Sequence, residues 1–435
     1  MEARSGSGRR LKAVLCLLVL TALLIVPGTF GVRAYALPVV ADYLPDESGV
    51  WRFKEGFVHP IYNLKPGATD PDIPANALAP DPKGQLKKTL IDRREDGQKA
   101  KLLFVGDLMC LAGQQHGAKK SGGFDFTSSF KLVAPIFNSA DFVCGNLESL
   151  ISKSNPITSV QKDIYGVPQC NGPAEYLKAL RTAGFDCLVT ANNHCCDWGA
   201  KGITETLEEL DKNHFAHIGT FYGSKDGEGK ARKTKEESYV MFDVRGIKVA
   251  VLAYSHLINQ RGKLTATQMS EMVACYDASR VKKDIAAARK NGAEFVVVYC
   301  HWGRENTEEL TDYQKSDAEY VAECGADLVI GSHSHCLQRK TIITTKDKRK
   351  VPCMFSMSNF VSSMGRDINN DTIILDLSVS KDNKGRVSID KIDYIPCHVM
   401  TSASLGSCCV VPTSKSLNGG IDSQVLKAAE ARIRK

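Results

Sequence analysis

From Lys101 onward, short apolar runs alternate with amphipathic stretches. The runs are 102–105, 142–144, 187–189, 249–253, 295–299 and 328–330, rich in Val, Ile and Leu. Runs of this length and β-branched content predict buried strands. Between them, 173–183 opens with Pro173 and is followed by Gly184, 203–213 is amphipathic, 277–290 is rich in Ala and Lys, and 312–324 closes before Gly325. These are helix signals, Pro at the start and Gly past the end. Strands alternating with helices predict an α/β architecture. After about residue 350 the pattern predicts strands alone, at 354–361, 372–379 and 387–395, and so a mixed or second sheet. The stretch 401–420 is small and polar, and 421–435 reads as a short terminal helix, so 401–435 is expected to be a polar tail.

Upstream the texture differs. Arg4, Arg9, Arg10 and Lys12 precede an uncharged apolar run, 13–26, that meets Pro27 and Gly28. Basic residues before such a run form an export signal. Cleavage after Ala34-Tyr35-Ala36 would make 1–36 a signal peptide. Uncharged sequence from 13 to 32 would alternatively span a bilayer at ~20 residues, and Arg33 in the would-be cleavage region favours this uncleaved anchor. The cationic flank keeps the N-terminus cytoplasmic, so the expected location is the cell membrane with the main domain extracytoplasmic. Between 38 and 82 lie eight of the 16 prolines, which block helices and interior strands. Residues 37–98 therefore read as a Pro-rich spacer, and 99–400 as the main domain.

Composition narrows the class. With 435 residues, 43% hydrophobic and 24% charged, the chain is globular rather than disordered or polytopic. Of the net charge of +7, the leader carries more than half, through Arg4, Arg9, Arg10, Lys12 and Arg33 against Glu2. The remainder is no nucleic-acid footprint.

Five apolar runs end in chemistry. Asp107 follows the first; Asn146 and Glu148 the second; Asn192, Asn193 and His194 the third. His301 follows the fifth, with Glu305 four residues on, and His333 and His335 follow the sixth. In open α/β sheets, ligands bind outside the carboxyl ends of strands, so these residues are expected in one crevice. Mixed oxygen and imidazole donors suit Mn, Fe, Zn or Mg. Two such ions ~3.5–4 Å apart can activate water and clamp phosphoryl oxygens. Glu148 or Asp107 could supply the bridging carboxylate that a pair requires. Each residue alone has a plainer role, Asp107 as a helix cap or Asn192-Asn193 as a turn; five strand ends together make a shared site the better reading.

The motifs Gly106-Asp107-Leu108-Met109, Asn146-Leu147-Glu148, Ala191-Asn192-Asn193-His194 with Asp197 and Gly199, His301-Trp302-Gly303 with Glu305, Gly331-Ser332-His333-Ser334-His335, and Ser358-Asn359-Phe360 resemble, in order, the CapA-type poly-gamma-glutamate capsule synthesis proteins. That family looks like a branch of the calcineurin-like metallophosphoesterases. The resemblance implies a four-layer α/β/β/α sandwich holding two divalent ions. It implies Asp107, Glu148, Asn193, His301, His333 and His335 as metal ligands, Asn146 and Glu305 as further candidates, and His194 with Asp197 as the catalytic pair. It also implies an anionic surface polymer or phosphate-containing substrate, and other capsule-synthesis proteins as partners. Two positions depart from the usual phosphoesterase pattern: Met109 stands where a His ligand is expected, and Glu148 where the bridge is an Asp. Glu305 is a candidate to compensate. A metal-dependent hydrolase is the leading expectation; a non-catalytic assembly factor that binds the polymer at the same site is the rival.

Fifteen cysteines remain. Exported thiols ordinarily oxidise, yet Cys144, Cys187 and Cys300 sit inside predicted strands like small buried hydrophobes. Free buried thiols, as in a reducing habitat, are the expectation, with Cys195, Cys196 and Cys336 nearest the proposed ligands.

Overall fold

The computed structural model describes residues 50–52, 98–160, 169–223 and 238–435. The apolar runs form two sheets. One has seven strands in the order β1 (Val50–Arg52), β8 (Val240–Val244), β9 (Ile247–Ser255), β10 (Phe295–His301), β11 (Leu328–Ser332), β13 (Lys350–Met354) and β12 (Lys340–Thr344). The other has eight: β17 (Gly406–Pro412), β16 (Val387–Ser402), β15 (Asp371–Lys381), β2 (Gln98–Leu108), β5 (Phe142–Leu147), β6 (Cys187–Val189) and β7 (Ala216–Ile218), with β14 (Asn359–Val361) beside β2. A two-stranded hairpin, β3 (Lys119–Lys120) and β4 (Gly123–Phe124), stands apart.

The period of two explains how these sheets stack. Along β2, Leu102 and Phe104 join the cluster containing Val249, Val251 and Val297, whereas Leu103 and Val105 join the one containing Leu177 and Leu207. One face of β2 thus meets the other sheet and the opposite face meets helices. Rings close the seam: Phe142 and Phe242 lie 4.6 Å apart, and Tyr299 Oη donates to the Val105 and Cys144 carbonyls at 3.3 and 3.2 Å. Those bonds satisfy a hydroxyl that would otherwise be costly inside an apolar seam.

Helices cover the outer faces. Glu175–Ala183 and Gly199–Lys212 bury Tyr176, Leu177, Leu180, Ile203, Leu207 and Leu210 against the eight-stranded sheet. On the seven-stranded sheet, Ala278–Lys290 buries Val281 and Ile285, and Asp312–Glu323 buries Ala318 and Val321. Asp277 and Thr311 cap these two, accepting from the backbone N–H of Arg280 and Gln314; each such cap contributes about 1 kcal/mol. The architecture is an α/β sandwich.

Two boundaries differ from the sequence reading. Residues 401–435 do not hang as a tail: β17 forms an edge of the eight-stranded sheet, and helix Gln424–Ile433 buries Leu426, Ala429 and Ile433. The helix is pinned by Arg432, whose Nε and Nη2 reach Asp371 at 2.5 and 2.9 Å, while His398 Nδ1 lies 2.6 Å from the same carboxylate. Within the stretch read as spacer, β1 adds parallel to β8. The proposed leader and anchor, 1–36, lie outside the described residues; among the described residues no helix is long and apolar enough to cross a membrane.

Candidate metal centre

Strand register brings the polar ends together. In the eight-stranded sheet, Asn359, Asp107 and Asn146 are neighbours across β14, β2 and β5; in the other, Ser255, His301 and Ser332 align across β9, β10 and β11. Asp107, Asn146, Ser255, His301 and Ser332 lie at carboxyl ends of parallel strands, where backbone pairing stops and side chains become available, and Asn359 joins them at the start of β14. Close passage of backbone sets the start of two of these loops. A Cβ on Gly106 would stand 2.0 Å from the Ser358 carbonyl oxygen, and one on Gly331 1.9 Å from that of Phe355. Only glycine fits either position.

Asp107, Asn146, Glu148, Asn193, His194, Asp197, His301, His333 and His335 are all buried, each at most 5% exposed. Asn146 Nδ2 donates to Asp107 Oδ1 at 2.7 Å, and Asp107 Oδ2 accepts the His333 N–H at 3.1 Å. Asn193 Oδ1 lies 2.9 Å from His301 Nε2, and Ser332 Oγ 2.8 Å from His301 Nδ1. Asn359 Oδ1 sits 2.8 Å from His335 Nδ1, so an imidazole N–H given there leaves Nε2 as a free donor of electrons.

Glu148 stands outside this network, and His333 Nδ1 also has no hydrogen-bond partner. Glu148 Oε1 lies 3.8 Å from His301 Nε2 and 4.0 Å from His335 Nε2, and neither carboxylate oxygen has a hydrogen-bond partner. Ligand atoms of Glu148, His301 and His333 gather within 4.8 Å of one another, as do those of Asp107, Glu148 and His335. Glu148 belongs to both groups. Two orphaned, buried oxygens beside three imidazoles and a second carboxylate fit a pair of divalent cations sharing that carboxylate.

Electrostatics agree with that need. Burial, then the neighbouring Asp107 carboxylate, raises the Glu148 carboxyl well above its usual range. Burial also raises Asp107, opposed by His335 and the Asn146 bond. Burial and the adjoining imidazoles hold His301 well below its ordinary value and His333 down to about 3. Burial thus disfavours charge on both acids and both imidazoles, and a cation bound among them would favour the ionised carboxylates and the neutral imidazoles.

His194 stands with a different set. Its Nδ1 lies 2.6 Å from Asp197 Oδ2, which also accepts the Cys170 N–H at 2.7 Å. Burial opposes its charge, but Cys170 and Asp197 outweigh burial and the imidazole is raised well above its ordinary value. Cys170, His194 and Asp197 form a third group of closely gathered ligand atoms.

The structure therefore draws together every residue of the sequence-derived set except Glu305, which lies exposed on a turn outside all three groups. Met109 is buried, its carbonyl accepting from Gln114 and Tyr176. Cys195, Cys196 and Cys336 belong to none of the groups; the thiol beside the site is Cys170. All fourteen cysteines among the described residues are free, and twelve are buried.

The class these features define is an α/β sandwich with a candidate metal centre at the carboxyl ends of both sheets. Residues 101–364 match the family described as bacterial capsule synthesis protein PGA_cap, and the chain belongs to that family. It is 28% identical over 290 residues to the PGA biosynthesis protein CapA of Bacillus subtilis (strain 168), covering 67% of this chain and 70% of the relative. To the capsule biosynthesis protein CapA of Bacillus anthracis it is 25% identical over 312 residues, 71% of this chain and 69% of the relative. Among solved structures, the calcineurin-like phosphoesterase YfkN from Bacillus subtilis is similar at a TM-score of 0.41 and 13% identity, over 78% of this chain and 100% of that one. The NAD nucleotidase NadN of Haemophilus influenzae gives a TM-score of 0.44 at 11% identity, over 77% and 56%. Likenesses of that degree carry no part of the functional reading.

Proposed function

We propose that the protein is an exported, membrane-anchored metal-dependent hydrolase of the phosphoesterase type, acting in synthesis of an anionic surface polymer such as poly-gamma-glutamate. The observation that carries the reading is Glu148, buried with both oxygens unpartnered among His301, His333 and His335. Uncompensated, such a group costs several kcal/mol, and cations remove the cost.

In this reading Asp107, Glu148, Asn193, His301, His333 and His335 hold two divalent ions, Mn, Fe, Zn or Mg. Bound cations supply Lewis acidity for hydrolysis of a phosphate or related ester. The chain's own groups do the rest. Asn146 orients Asp107 through its 2.7 Å bond. Ser332 and Asn359 fix the imidazole planes of His301 and His335. Asp197 holds His194 through Nδ1, which leaves Nε2 to carry a proton to a leaving oxygen. Residues 13–32 anchor the chain, and the capsule role of the relatives supplies the polymer.

Met109 favours a second reading, a non-catalytic assembly factor that binds polymer at the same centre. A thioether there offers no hard-cation ligand where the resemblance expects an imidazole. Metal analysis of the full-length protein, combined with hydrolysis of a generic phosphodiester and a His333→Ala control, separates the two. Bound metal with turnover lost in the control supports the hydrolase. Bound metal without turnover, but with tight polyglutamate binding, supports the assembly factor; absence of bound metal refutes the hydrolase.

A further inference from the structure

We infer that Cys170, His194 and Asp197 form a third cation site, suited to a thiophilic divalent ion such as zinc, whose occupation withdraws His194 from the proposed reaction. The regulatory half of this inference rests on the hydrolase reading above; the site itself does not.

The three ligand atoms already lie within 4.8 Å of one another, and the residues are at most 5% exposed. A tetrahedral zinc site needs its donors somewhat closer, with bonds of about 2.0–2.3 Å, so a small contraction completes it. Asp197 is well placed to move onto an ion. Its Oδ1 is buried without any hydrogen-bond partner, and Oδ2 is held by the Cys170 N–H and by His194. The surrounding backbone is fixed, since the Asp197 carbonyl accepts from Gln169 Nε2 at 2.9 Å and from Lys263 Nζ at 2.5 Å. Anchored outer contacts of this kind raise the affinity of metal sites by orienting their ligands in advance.

Donor chemistry separates this group from the adjoining pair. Glu148, Asp107 and three imidazoles offer only oxygen and nitrogen. Cys170 adds the one sulfur donor, and thiolate selects zinc over manganese or magnesium. Binding expels the thiol proton to solvent and leaves the sulfur as a thiolate ligand. Three protein donors leave a fourth position for water. His194 is shared: a ring nitrogen given to zinc, with Asp197 drawn away from Nδ1, can no longer carry a proton to a leaving oxygen. Other thiols nearby do not compete. Cys195 and Cys196 lie 3.6 Å apart, sulfur to sulfur, within an apolar cluster.

The test uses full-length protein and cobalt(II) as a coloured substitute for zinc. Wild-type protein is expected to develop thiolate-to-cobalt charge-transfer absorption in the near ultraviolet. Cys170→Ser loses that absorption and Cys170→Ala behaves the same, with circular dichroism checking that both are folded. His301→Ala, which strikes the adjoining pair, keeps it. No band in the wild type, or a band that survives in both Cys170 variants, overturns the site. In the second arm, zinc at about ten times its dissociation constant cuts manganese-supported hydrolysis about tenfold in the wild type by mass action. The ratio of rates with and without zinc returns to near one in Cys170→Ser; equal inhibition of both proteins overturns the regulatory role. If no hydrolysis is found, the hydrolase reading fails while the cobalt spectrum still decides the site.

Discussion

Replacing Glu148 by glutamine should reverse its effect on stability according to whether cations are bound. Glu148 is fully buried, its two oxygens have no partner, and Asp107 presses on it with like charge. Each buried polar atom left unsatisfied costs about 1–3 kcal/mol, more when charged. Glutamine keeps the shape and removes the charge. With a chelator present at pH 8, Glu148→Gln should therefore equal or exceed the parent by about 1–3 kcal/mol. With manganese at a hundred times its dissociation constant, the parent gains about 2.7 kcal/mol. For a domain this large that is a rise of roughly 3–5 °C in Tm. The variant, lacking the carboxylate shared by both ligand groups, should lose most of that rise. Calorimetric scans of both proteins, with chelator and with manganese, give the four values needed. A variant less stable than the parent in chelator, or one that keeps the parent's full manganese shift, would refute the assignment of Glu148 as the shared ligand.

Other outcomes follow from packing and charge. Gly331→Ala should cost about 1–3 kcal/mol or more by overpacking and lower the metal content, because the new methyl meets the Phe355 carbonyl that accepts from Trp302 Nε1; an unchanged melting temperature counts against the observed approach. Arg432→Met should cost about 1 kcal/mol, the Arg432 side chain being 34% exposed, and free the C-terminal helix to proteolysis. Burial works to raise the Asp371 carboxyl, but His398 and Arg432 outweigh it and hold it below its ordinary value. Stability from a depressed carboxyl is present above the unfolded value of about 4 and lost as pH falls through the folded one, so the variant's acid unfolding should begin at higher pH. A thiol reagent should label Cys275 and Cys324 in the native protein and all fourteen cysteines beyond the leader after unfolding; a shortfall of two or more after unfolding would reveal disulfides.

Much of the fold was legible because its signals are local. The run 187–189 is a strand end to end, and the helix expected over 277–290 spans Ala278–Lys290. What failed was set by contacts between distant segments. The stretch 354–361 looked like one strand, yet it breaks between β13 and β14, and the break carries Ser358 at a φ of 64°. Nothing in the local pattern marks that turn; crossing of the chain over Gly106 does. Polar neighbours dilute the apolar run from Cys408 to Val411, the one local signal that 406–412 is a strand and not part of a tail. The place of Cys170 is hidden in the sequence for a related reason. Adjacency in sequence pointed to Cys195, Cys196 and Cys336, whereas the Cys170 backbone reaches Asp197 from 27 residues away.

The strained backbone of the centre ties these observations to chemistry. His333, His335 and Ser358 have φ of 93°, 53° and 64°, conformations that cost non-glycine residues about 1–3 kcal/mol each. They meet on two loops that cross: Asp107 N–H donates to the Ser358 carbonyl at 3.0 Å, Asp107 Oδ2 accepts from His333 N–H, and Asn369 Nδ2 donates to the His335 carbonyl at 2.8 Å. An extended strand continuing past Ser332 would carry its side chains away from β2. The left-handed turns at His333 and His335 instead fold the chain back, setting the two rings 6.0 Å apart with a ligand atom of each near Glu148. Strain of this size persists only where other contacts over-determine it. Here Gly106 and Gly331 admit the crossing, and the Asp107 carboxylate holds the loop and gathers with Glu148 and His335 as a candidate ligand. Replacing Asp107 thus removes a candidate metal ligand and the anchor of the loop that positions two more, so its effect on cation binding should exceed that of losing any single imidazole.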